Sequence, residues 1–295
     1  MTQESMFTYT LLDWIDITKL RWIGLSSNSN AIRMIAENIE KTFDCVLSLN
    51  PSAIRLLELN PEKIDWYDLS SNPNAIHLLE KNLEKINWDY LSMNPNAINI
   101  LEKNPEKIDW DHLSFNPNAI HMLEKYPGKT NWNHLSMNPN AIHMLEKNLE
   151  KINWDYLSLN PNAMHLLENN LEKINWDNLS LNPNAIHLLR NNLEKVNWNE
   201  LSDNPNAISL LEDNKDKINW ICLSSNPNAV HLFKQNPDKI VWCELSTNPS
   251  IFTIGYDYLF LKGRMDIIRE ELIKKCMHPR RLEQWIEMGG DFDDF

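Results

Sequence analysis

Basic side chains are in short supply: 28 Lys and Arg stand against 41 Asp and Glu, a formal net charge of −13. That shortage opposes a general binder of phosphate backbones, whose affinity comes from Lys and Arg displacing counterions. An anionic membrane surface would repel the chain for the same reason. Cysteine is scarce too. Cys45, Cys222, Cys243 and Cys276 form no CxxC pair and no regular framework spacing, which fits a reducing compartment better than a set of disulfides. No apolar run reaches the ~18 residues that mark a membrane-spanning helix. The opening MTQESMFTYTLLDWIDITKL is acidic and lacks the layout of a signal peptide. Together these absences lead to the expectation of a soluble protein, intracellular and not secreted. Glycine is low at six, whereas fifteen prolines fall mostly at two fixed points of a repeated pattern.

That pattern dominates the chain. Trp66, Trp88, Trp110, Trp132, Trp154, Trp176, Trp198, Trp220 and Trp242 recur every 22 residues without an insertion. A fixed period of this size is the signature of stacked supersecondary units, each touching only its neighbours. The register extends backwards. Leu47, Ser48, Asn50 and Pro51 match Leu69, Ser70, Asn72 and Pro73, although Asp44 replaces the Trp; Trp22, Leu25, Ser26 and Asn28 match again, with Ser29 for the Pro. Leu12, Lys19 and Leu20 hold the register of a half-unit, aligned with Leu78, Lys85 and Ile86. Residues 22–241 thus hold ten full copies and a partial one begins at Trp242.

Punctuation inside residues 88–109 predicts two short helices. Asn94 before Pro95 reads as an N-cap with proline at the first helical position. Ala97, Ile98 and Leu101 then form an apolar stripe to residue 103. Asn104-Pro105 ends that helix, with Asn suited to a left-handed C′ residue. Asp109 caps one further turn, α or 3₁₀, over 110–114. Such helices need burial against a neighbour, and the repeated Trp, Leu and Ile are the residues to supply it. The expected fold is an all-α solenoid of about eleven two-helix, 22-residue repeats. Residues 1–21 form an N-terminal cap, 22–250 the solenoid, and 251–295 a helical C-terminal cap. In that last segment Met265, Ile268, Leu272 and Cys276 lie on one helical face, Pro279 opens a second helix, and DFDDF is an acidic tail.

The unit LSxNPNAIHLLEKNxEKINW and the ending MHPRRLEQWIEMGGDFDDF resemble repeat-array proteins of the giant DNA viruses of amoebae, whose arrays often end in a similar HPxRL…GGDxDDF segment. The resemblance covers residues 22–295. It implies a large-virus origin, with the host cytoplasm or the virion as location, and carries no catalytic residues to transfer. In layout the unit is also similar to the leucine-rich variant repeats, which pair an α-helix with a 3₁₀-helix. By that analogy of shape the solenoid is elongated and right-handedly coiled.

Recurring polar residues are read as structural. His77, His121, His143, His165, His187 and His231 share one repeat position. Helices about 8–10 Å apart cannot close a zinc site from one such row, since each ligand must sit about 2 Å from the ion. The row therefore reads as surface histidines with hydrogen-bonding duties. A catalytic site is one asymmetric constellation; Ser48, Ser70, Ser92 and Ser114, like Asn72, Asn94 and Asn116, recur in every copy, so they read as backbone-satisfying groups. The Trp row reads as core, and the Glu-Lys runs as a solvated face.

One row varies while the frame stays fixed. Met93, Phe115, Met137, Leu159 and Leu181 precede successive Asn-Pro steps, and Tyr90, His112, His134 and Tyr156 stand three residues before the first four of them. If exposed, they form a candidate protein-binding stripe; the competing reading buries them in the stack. The resulting expectation is a non-enzymatic scaffold or adaptor that binds protein, with no catalytic, metal or cofactor residue and no membrane contact. Two rivals follow. A helical-repeat nucleic-acid binder is opposed by the negative charge and the lack of a Lys/Arg row. An enzyme using His278, Arg280, Arg281, Asp291 and Asp293 is opposed by the absence of any motif with recognised mechanics.

Overall fold

The computed structural model describes residues 7–256 and, further on, 267–272 and 274–275. The chain divides into two compact units, Leu11–Phe252 and a second made of Met1–Thr10 with Thr253–Phe295. The first is an all-α solenoid with a 22-residue period.

Each repeat carries three helical pieces rather than two. Residues 88–109 show the pattern: an α-helix Trp88–Met93, an α-helix Ile98–Lys103 and a 3₁₀ turn Pro105–Lys107. The Asn87 side chain caps the first helix, its Oδ1 accepting from the Tyr90 N–H at 3.0 Å, as Asp109 does for His112 at 2.8 Å in the next copy. The Asn-Pro step corrects the sequence reading. Asn94 closes the first helix instead of opening the second, with φ −69° and ψ 117°, and its Nδ2 is held by carbonyls of the preceding unit. Pro95 and Asn96 then form a turn, and the second helix begins only at Ile98. Asn104 ends it at φ −132°, not in the left-handed region, and its Nδ2 instead donates back to the Ile100 carbonyl at 2.8 Å. Pro105, expected only to stop a helix, opens the 3₁₀ turn, where its missing N–H costs nothing.

The core consists of Leu91, Ala97 and Leu101 and their counterparts, all fully buried. The Trp row, read as core, is only half-buried against it. The reason is a partner on the open side: Lys107 Nζ sits 4.6 Å from the Trp88 ring centroid, and the same pairing recurs as Lys151 on Trp132 and Lys173 on Trp154 at 4.5 Å. A cation–π contact of this kind stabilises a ring that keeps one face toward water.

The array does not end; it closes. Asn94 Nδ2 donates to the carbonyls of Ser70 and Asn72 in the preceding unit at 3.0 and 2.9 Å. Asn28, in the first unit, makes the same pair of bonds to Ser246 and Asn248 at 3.1 and 2.9 Å. Arg21 N–H donates to Ser246 Oγ as Asp109 N–H does to Ser92 Oγ, and Asn30 Nδ2 reaches the Pro249 carbonyl. Residues 11–21 supply the second half of the unit opened by Trp242. There the 3₁₀ turn Ile17–Lys19 places Lys19 Nζ 5.0 Å from the Trp242 ring, and Leu12 N–H donates to the Ile251 carbonyl at 2.9 Å. The expected elongated array with a separate cap over residues 1–21 is thereby corrected. Similar units stacked at a similar angle, eleven in all with the last assembled from residues 242–252 and 11–21, complete a ring.

The ring also has an inside and an outside. Successive first helices pack side by side, as Trp132–Met137 does on Trp154–Leu159, while successive second helices meet far less. Between the second halves lie open clefts, one of 360 Å³ bounded by Glu102, Ile108, Trp110, His121 and Lys129, another of 480 Å³ by Glu212, Trp220 and Lys239. In a closed ring the splayed side is outer, so the first helices line the bore.

A two-stranded sheet pairs Phe7–Leu11 with Phe252–Tyr256; no strand was expected. In the anticipated C-terminal cap, 267–272 is helical with Ile268 and Leu272 exposed. Met265, Cys276, the helix opened by Pro279, the acidic tail, and His278, Arg280, Arg281, Asp291 and Asp293 lie outside the described residues.

Candidate functional site: the face of the first helices

The first helix is short because of its caps, and its six residues divide cleanly. In Trp88–Met93, Leu91 and Ser92 are buried; Asp89 and Met93 are exposed and Tyr90 is half-buried. The stripe residues therefore do not point into the stack. Tyr90, His112, Phe115, His134, Tyr156, Leu159 and Leu181 are half-buried, and Met93 and Met137 are 36% and 38% exposed.

Side chains of this row touch across units. Tyr67 and Tyr90 have ring centroids 4.4 Å apart, Tyr90 stacks on His112 at 6.2 Å, Phe115 on His134 at 4.0 Å, and His134 meets Tyr156 edge-on at 6.3 Å. The hydrogen bond with Tyr90 pushes the Tyr67 phenol above its ordinary range. Tyr67 was not among the candidates from sequence, because it sits one place before the aligned row; its aromatic character was the available signal. His112 Nδ1 lies 3.0 Å from Asp109 Oδ1, and His134 Nδ1 lies 2.9 Å from the Asp111 carbonyl. These contacts orient the imidazoles along the ladder.

Charge carried by the first helices themselves has one sign, with Lys63 on Asp44 and Arg21 near Cys243 the cations that approach them. None of the eleven first helices contains Lys or Arg, while Asp89, Asp111, Asp155, Asp177, Glu200 and Asp203 lie on them. Among the described residues none of these six carboxylates has a Lys or Arg partner within ion-pair distance; Asp111, Asp155 and Asp177 accept instead from Asn131, Asn175 and Asn197. The local field is visible in their neighbours. The Cys222 thiol is pushed up by burial and then by Asp203 and Glu200, and the Asp68 carboxyl is raised by burial and by Asp65.

The other rows serve the frame. Each serine ties its first helix to the residue that caps the next one: Ser92 Oγ donates to the Trp88 carbonyl at 2.7 Å and accepts from the Asp109 N–H at 3.1 Å. The outer histidines pair with a glutamate of the preceding unit, His143 Nε2 with Glu124 and His165 Nε2 with Glu146, both at 2.8 Å. Among the described residues no three His, Cys, Asp or Glu are grouped to hold a metal. No helix among them is long and apolar enough to cross a membrane. Comparison with protein-family models, with curated proteins and with solved structures finds no match for this chain.

Proposed function

We propose that this protein is a non-enzymatic ring scaffold that holds a polypeptide partner along the stripe Tyr90, Met93, His112, Phe115, His134, Met137, Tyr156, Leu159 and Leu181. One observation carries the reading: these large side chains are part-exposed and stacked across neighbouring units, although the frame around them needs no aromatic there. Ser71 and Ser225 occupy the same position as Met93 and Phe115 in units that fold alike. A pre-formed surface of aromatic and Met side chains binds with little ordering cost and suits hot-spot contacts. The resemblance to the arrays of amoebal giant viruses supports a viral protein acting in the host cytoplasm or the virion.

The test is a triple variant, M93S/F115S/M137S, compared with the parent by pull-down from lysate and by thermal melting. The expected outcome is an unchanged melt with loss of the retained protein. Retention of the same protein, or a collapsed melt with no change in what is captured, overturns the stripe. Mobility shifts of RNA or DNA at low salt would put the nucleic-acid reading in its place.

A further inference from the structure

We infer that the bore of the ring takes up a lysine- or arginine-rich stretch of polypeptide; this rests on the scaffold reading and names the chemistry of its partner. The starting point is a segregation of charge that the packing does not require. Cationic residues of the repeats sit in the second helix and the 3₁₀ turn, where Lys107, Lys151 and Lys173 cover the outer-side Trp faces. From Trp66 to Asp203 the first helices keep their carboxylates without a Lys or Arg of their own; the cations beside this row are Lys63, paired with Asp44, and Arg21, near Cys243. The aromatic faces of the same helices, Tyr90, Phe115 and Tyr156, stand among the carboxylates.

Carboxylates beside π faces are what a guanidinium or ammonium group binds, by ion pairing and by cation–π contact together. A concave wall of one sign with low-dielectric sides focuses its field and concentrates the opposite charge. The elevated Cys222 thiol lies within that field. Size agrees as well. Axes about 8–10 Å apart, eleven to the ring, close on a circle about 28–35 Å across, and subtracting one helix diameter of about 10–12 Å leaves a bore of roughly 16–25 Å. An extended or helical peptide passes through such an opening. A nucleic-acid backbone of like charge is repelled from it.

The experiment uses fluorescein-labelled nona-arginine as probe, nona-glutamate as control, and anisotropy with the full chain at about 50 and about 300 mM salt. The parent is expected to bind nona-arginine, less tightly at the higher salt, and to ignore nona-glutamate. The inner-wall variant D89N/D111N/D155N is expected to weaken binding about tenfold or more. The outer variant E102Q/E124Q/E146Q, which removes the same charge from the other side, is expected to leave affinity unchanged. Equal loss in both variants means the net charge alone attracts the probe, and the inference falls; absence of binding by the parent also overturns it. If nona-arginine fails while M93S/F115S/M137S still loses its captured protein, only this inference falls and the scaffold reading stands. If both fail, both fall.

Discussion

At the scale of single residues the repeated Asn is the keystone of the stack. Asn116 is fully buried, its Nδ2 forked to the carbonyls of Ser92 and Asn94 at 3.0 and 2.8 Å while its Oδ1 accepts from the Asn118 N–H at 3.0 Å. Both its amide N–H groups and its oxygen have partners, and among the described residues no buried side-chain polar atom lacks one. Asn116→Ala leaves the Ser92 carbonyl and the Asn118 N–H without a protein partner, each costing about 1–3 kcal/mol when unpaired, while the Asn94 carbonyl keeps its bond from the Ala97 N–H. The expected result is a loss of about 2–4 kcal/mol, seen as a lower urea midpoint, whereas the exposed His121→Asn changes stability by less than about 0.5 kcal/mol. An equal effect of the two substitutions would contradict the role given to the Asn ladder. A second residue reports the field. Since burial, Asp203 and Glu200 hold the Cys222 thiol up, thiolate is scarce there and alkylation slow. D203N is expected to shift the pH profile of Cys222 alkylation by iodoacetamide toward lower pH, read by mass spectrometry of the Cys222 peptide; an unmoved profile would deny the inner wall its field.

At the scale of the element, what the sequence made legible and what it hid have one physical division. Period, helix class and the cap Asp109 are local properties, and the structure reproduces them. The Asn-Pro step misled because the same dipeptide suits a helix start and a helix end, and the choice rests on Asn94 Nδ2 reaching carbonyls of another unit. Side chains that bond across units have no signature within one. The half-burial of Trp88 was hidden for the same reason, since Lys107 reaches its ring only after the 3₁₀ turn has formed. The stripe was legible as a row of residues, yet its exposure depends on which wall of the unit faces the bore, and the wedge that decides this is set by packing between neighbours. The carboxylates of the first helices were visible in the sequence; only curvature gathers them on one surface.

At the scale of the molecule, closure makes the seam between the first and last units a distinct kind of interface. That seam runs through the split eleventh unit and along the first: residues 242–252 meet residues 11–30 with no chain between them, and the packing there is carried by contacts across sequence separations above 200 residues. Gly24 is fitted to it. A Cβ at this position would lie 2.7 Å from Ser246 Cβ and 3.1 Å from the Cys243 carbonyl, whereas the other units carry side chains such as Tyr90, His112 or Glu200 at the same place. Gly24→Val therefore forces the last unit away without touching any other junction. In the opened form residues 11–30 expose the face that receives residues 242–252, and residues 242–252 expose its complement. Such a heterologous pair of faces closes intramolecularly or joins copies head to tail. The expected result is a larger maximum dimension by small-angle scattering, with oligomers that grow with protein concentration and near-parental helix content by circular dichroism. Gly128→Ala is the control: it lies in the 3₁₀ turn Pro127–Lys129 with nothing within 4 Å of the added Cβ. It should leave the dimensions unchanged and stability equal or higher by about 0.4–1 kcal/mol. Parental scattering from Gly24→Val would mean that the ring is not held shut by the fit at Gly24, and that its closure rests on the other contacts of the seam, the Arg21, Asn28, Asn30 and Leu12 hydrogen bonds among them.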